Sequence, residues 1–108
     1  MELTVRVVCR PRLAPGFALA GVAADEADDP RAAALALGRL AADPRVGVVL
    51  VEDDLHRALP PDLVARIDRD GRPVVAPFPS PSWDGRRVAE EYVLEILRQA
   101  VGYRVRPR

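Results

Sequence analysis

Apolar and polar positions alternate at the start of the chain, Leu3, Val5 and Val7 against Thr4 and Arg6, before Val8 and Cys9 close the run and Arg10 and Pro11 stop it. That two-residue period predicts a first strand. Residues 15–20 have room for about a turn and a half of helix with Gly21 as its stop, and residues 22–24 are expected to form a short second strand. A longer helix follows: Asp29 is placed to cap it, Pro30 suits its first position, Ala33, Leu37 and Leu40 share one face, and Pro44 ends it. The run "VGVVLV" at residues 46–51 does not alternate at all, as expected of a central strand covered by helices on both faces of a parallel sheet.

Beyond that strand stands "EDD", with Asp54 expected to cap a short helix carrying Leu55, Ala58 and Leu59. Pro60 and Pro61 interrupt this helix and restart it, and Leu63, Val64 and Ile67 carry its inner face to a turn at Asp70 and Gly71. "PVVAPF" (residues 73–78) reads as the last strand, its prolines placing it at an edge, and "PFPSPSWDG" (residues 77–85) as a stiff linker. Residues 86–100 are helical throughout, with Gly102 as a stop and "YRVRPR" as a tail. The alternation of strands and helices implies a small, open, four-stranded parallel α/β sheet of flavodoxin-like or receiver-like layout, strand one inside, with flanking helices and a C-terminal helix after the proline-rich linker. The expected division is an α/β domain over residues 1–78 and a linker, helix and tail over residues 79–108.

Charge and composition narrow the function by exclusion. Sixteen basic residues balance sixteen acidic ones, so no net field favours nucleic acid or an anionic membrane. Every basic residue is arginine, the pattern of a GC-rich genome, and without lysine neither a Schiff base nor a Walker-type phosphate lysine is available. The single cysteine, Cys9, forms neither an internal disulfide nor a metal cage and is expected to be a buried small hydrophobe in a cytoplasmic protein. No run approaches the roughly 20 apolar residues that span a bilayer, and the start lacks a signal-peptide pattern; a soluble, unprocessed chain is expected.

The candidate chemistry is sparse. In an open parallel sheet ligands bind outside the carboxyl ends of the strands, here the loops after Cys9 and Val51. Glu52, Asp53 and Asp54 lie at one of these, but a phospho-receiver needs carboxylates from two strand ends and a lysine, and "RPRLAPG" supplies none. "PGFALAG" (residues 15–21) fails as a phosphate loop: Gly16 and Gly21 stand five apart with Phe17 and Leu19 between, where a dinucleotide fingerprint needs bare backbone. His56, the sole histidine, has no partner histidine for a metal and is expected to be structural. No cofactor, metal or catalytic residue is assigned.

The C-terminal helix is wider in its apolar face than one sheet requires. Arg87, Glu91, Glu95 and Arg98 form a narrow polar stripe, and Val88, Ala89, Tyr92, Val93, Leu94, Ile96, Leu97, Ala100 and Val101 cover the remainder. Two arrangements account for it: a last crossover helix packed on the sheet, or a second contact surface standing away from it.

The segments "GFALAG" (residues 16–21), "VGVVLVEDDL" (residues 46–55), "PVVAPFPSP" (residues 73–81) and "LRQAVGYRVR" (residues 97–106) together resemble the F subunit of the V-type (archaeal and bacterial V/A-type) ATPase or ATP synthase, in order and over nearly the whole chain. The resemblance implies a non-catalytic subunit of the central rotor stalk, bound to the coiled coil of the D subunit and reaching the A3B3 ring through the C-terminal helix. That helix is thought to modulate activity by its position. It further implies ATP turnover coupled to H⁺ or Na⁺ transport, and a cytoplasmic location peripheral to the plasma membrane without insertion. Carried onto this chain, the partner-binding candidates are Val88, Tyr92, Ile96, Val101 and Tyr103, with Arg104 and Arg106 as charged contacts. The chain departs from the family in a shortened "VAADEADD" segment after Gly21 and in having no lysine. The alternatives are a degenerate receiver-like regulatory domain without phosphotransfer and, behind it, a small nucleotide-binding enzyme.

Overall fold

A computed structural model describes residues 3–80 and 93–98. Its four strands, β1 (Thr4–Cys9), β2 (Ala24–Glu26), β3 (Val46–Glu52) and β4 (Val74–Phe78), form one parallel sheet in the order β2-β1-β3-β4. β1 and β3 are the interior strands, and all seven residues of β3 are buried, as its unbroken apolar run predicts.

A 3-10 turn (Pro11–Leu13) runs into α1 (Ala14–Leu19) between β1 and β2; α2 (Pro30–Ala41) links β2 to β3; α3 (Asp53–Arg57) and α4 (Pro61–Asp70) link β3 to β4. The chain first steps outward from β1 to β2 and then turns back across β1 to β3 and β4. Right-handed crossovers then put α1 on one face and α2 to α4 on the other. Residues 93–98 form a further helical segment, α5, on the α1 face.

Each helix begins and ends for a local reason. The Asp29 carboxylate accepts from the Ala32 N–H at 2.9 Å and Pro30 occupies the first turn of α2. α1 closes on Gly21, whose φ of 81° is the left-handed conformation that glycine adopts without strain. The Gly21 N–H donates to the Ala18 carbonyl at 3.0 Å and the Val22 N–H to the Phe17 carbonyl at 2.9 Å. This closure corrects the expected second strand: Val22 is spent on the helix end, and the strand begins two residues later, at Ala24. Gly71, at φ 82°, closes α4.

The alternation of β1 and β3 sorts the core into two layers. Val8, Val49 and Val51 join Ala33, Leu37, Leu40, Leu55 and Ile67 on the first face. Val7, Cys9, Val48 and Leu50 join Leu13, Phe17, Phe78, Val93 and Ile96 on the second. Register slips between Thr4 and Val5, which pair with Val46 and Val48, so Gly47 is passed over and Val46 falls on the first face instead of the second.

Candidate functional site

The strand order reverses between β1 and β3, so the crevice at their carboxyl ends is where a sheet of this topology would hold a ligand. Here the chain fills it with its own groups. Glu52, the last residue of β3, is fully buried. Its Oε1 accepts the backbone N–H of Arg10 at 2.9 Å, and its Oε2 accepts the Ser80 hydroxyl at 2.8 Å. The same hydroxyl lies 2.9 Å from Asp53 Oδ1, so its single proton is shared between the two carboxylates. Arg10 Nη1 donates to Asp54 Oδ2, and the guanidiniums of Arg10 and Arg12 stand 3.9 and 3.7 Å from Glu52 Oε2.

A buried carboxylate is costly unless hydrogen-bonded and paired, and Glu52 has both kinds of support. One residue thereby ties together the exit of β1, the exit of β3 and the chain just beyond β4. The Ser80 hydrogen bond holds the Asp53 carboxyl below its ordinary value, and the Asp54 hydrogen bond raises Arg10 above its own. Cys9, at the end of β1, has its thiol pushed up to about 12, first by burial and then by the negative charge of Glu52, Glu26 and Asp25. It is a neutral, unreactive core group at physiological pH.

Asp54 does not cap α3, contrary to the sequence expectation. β3 passes directly into the helix at Asp53, no side chain caps it, and Asp54 sits inside its first turn with its carboxylate turned to Arg10. The acidic residues retain the favourable placement of negative charge near a helix start. "RPRLAPG" supplies cations to this cluster, and Arg10, Arg12 and Ser80 are the members that the sequence reading overlooked; the signal was the juxtaposition of "RPR" and "EDD" at adjacent strand ends. Among the described residues no group of three or more His, Cys, Asp or Glu is placed to hold a metal ion. His56 is half-buried on α3. An open depression of about 520 Å³, lined by Ala41, Pro44, Gly71 and Pro73 among others, lies at the opposite end of the sheet, by the start of β3. The carboxyl-end cluster is a brace whose acids are engaged by donors of the same chain.

The other candidate surface is the C-terminal helix. Val93 and Ile96 point into the second core layer beside Phe17 and Phe78, whose rings meet edge to face with centroids 5.5 Å apart. Ile96, expected on the partner-facing surface, is a core residue in this arrangement. Outward, Leu94 is 47% exposed, and Glu95 pairs with Arg98 at 2.6 Å along the expected polar stripe. Val88, Tyr92, Val101, Tyr103, Arg104 and Arg106 lie outside the described residues, as do most of the expected linker and the ends of the expected helix. Among the described residues no helix is long and apolar enough to cross a membrane.

Residues 5–96 match the family model of the ATP synthase (F/14-kDa) subunit. Among solved structures the chain is similar to the F subunit of the V-type ATP synthase from Archaeoglobus fulgidus, with 26% identity and a TM-score of 0.65 over 72% of this chain and 99% of that one. No curated protein matches it.

Proposed function

The chain belongs to the family of the ATP synthase (F/14-kDa) subunit, as an F subunit of the V-type ATP synthase, and from that premise we propose that it is a non-catalytic part of the central rotor stalk. In this reading it binds the coiled coil of the D subunit, turns with it, and helps couple ATP synthesis or hydrolysis in the A3B3 ring to H⁺ or Na⁺ movement. The partner surface is the C-terminal region after Phe78, with Val88, Tyr92, Val101 and Tyr103 as apolar contacts, Arg104 and Arg106 as charged ones, and Ile96 joining them when the helix leaves the sheet. The location is the cytoplasmic side of the plasma membrane, peripheral to it.

The family match over residues 5–96 carries this reading. The strand-end cluster supports the non-catalytic role: the place where this topology would hold a substrate is occupied by an internal brace of Arg10, Glu52, Asp53, Asp54 and Ser80. The degenerate-receiver alternative fares worse, since a guanidinium, not a second acidic group, comes from the end of β1. The test is co-expression with the D-type coiled-coil protein followed by light scattering. A stable one-to-one complex is expected, weakened when Val88→Asp and Tyr92→Asp are combined. A chain that remains monomeric beside that coiled coil at micromolar concentration overturns the assignment.

A further inference from the structure

Gly16 lies inside α1, a helix of only six residues, where glycine is a poor helix former. Its backbone gives no reason for the choice, because among the described residues the left-handed glycines are Gly21 and Gly71. Its surroundings do. A Cβ built on Gly16 would stand 3.3 Å from Val93 Cγ2 on α5, closer than ordinary van der Waals contact, whereas one built on Gly38 of α2 would meet nothing within 4 Å. Beside Gly16, Phe17 is fully buried against Phe78, and Ile96 follows Val93 one helical turn on, all in the same core layer.

We infer that Gly16 is a size gate for the C-terminal helix: the missing side chain is the notch that admits Val93, and its size sets the balance between the helix docked on the sheet and the helix released. Docking then depends on one backbone-to-methyl approach plus the burial of Val93 and Ile96. That contact is small enough to be exchanged, while the layer on the other face stays closed. The same apolar residues can thus serve the sheet or a partner, but not both at once. The inference rests on the proposed stalk role only for what release would serve, and the contact itself belongs to the isolated chain.

Hydrogen exchange of the full chain without partner tests it. Overpacking of this kind shifts a docking equilibrium roughly tenfold to a hundredfold, so Gly16→Val should speed exchange of the amides at residues 96–98 by about that factor and leave those of β3 unchanged. Adding Val93→Ala, which removes the opposing methyls, should restore most of the protection, as coupled neighbours do. Unchanged exchange at residues 96–98 in Gly16→Val overturns the gate. So does a loss that Val93→Ala fails to relieve, or an equal acceleration in β3, which would make the helix inseparable from the core. None of these outcomes bears on coiled-coil binding, which the co-expression experiment decides separately.

Discussion

One face of the sheet is closed by α2 and α4, which the chain lays down while connecting its strands; the other is closed by the six-residue α1 and by residues 93–98, reached only after the last strand. Both layers bury comparable strand side chains, because β3 is apolar on both sides. They differ in how their covers are fastened. α2 is held at both ends by neighbouring strands and capped by Asp29. The second layer depends on Phe17 and Phe78 as a fixed floor, with Val93 and Ile96 laid on top. A fold that must offer apolar surface to a partner without melting can do so from the second face and not from the first.

The largest effect expected on this comparison comes from the floor of the second layer. Phe17→Ala removes a fully buried ring and its edge-to-face partner contact, a loss of about 3–5 kcal/mol of stability. Urea unfolding followed by far-UV circular dichroism measures it, and an effect below about 1 kcal/mol would place the second layer outside the cooperative core. Next comes the brace joining the ends of β1, β3 and the chain after β4. Glu52→Ala leaves the part-buried Arg10 N–H without its acceptor and the Ser80 hydroxyl with Asp53 alone, which should cost about 1–3 kcal/mol in the same measurement. No loss would mean that the cluster is ornamental to the fold.

The smallest effect is a pH dependence. Asp53 is held below its ordinary value chiefly by Ser80; a carboxyl lowered in the folded state contributes stability that is present above the unfolded value of about 4 and lost as pH falls through the folded one. Acid titration of the melting temperature should therefore show a decline below about pH 4 that is shallower in Ser80→Ala. An identical decline in both proteins would remove Ser80 from the account.

Much of the architecture was legible in the sequence, and the reasons it was legible also mark where it stopped. Asp29, Pro30 and Gly71 act through local chemistry, so α2 and the end of α4 fall where those residues put them. The unbroken apolar run of β3 reports burial on both faces directly. The second strand was misplaced because Val22 looks like a strand residue and is consumed by the α1 closure, a hydrogen-bond pattern that residue type alone does not reveal. Asp54 was misassigned because a cap and an ion pair across strands use the same carboxylate, and the pairing with Arg10 spans 44 positions. The notch at Gly16 needed the fold itself, since nothing local connects "GFALAG" with a helix that lies far along the chain, beyond the last strand. What "GFALAG" did carry, together with "VGVVLVEDDL", "PVVAPFPSP" and "LRQAVGYRVR", was the resemblance to the family.

The central claim is that this F subunit meets its stalk partner through the C-terminal region and keeps the first face for its own core. Hydrogen exchange across the whole chain, with and without the D-type coiled coil, tests it most directly. Exchange should slow over the C-terminal region, from Arg86 onward, when the coiled coil is added, and should stay unchanged in α2 and α4. Slowing confined to α2 and α4, or no slowing anywhere in the C-terminal region, would contradict it.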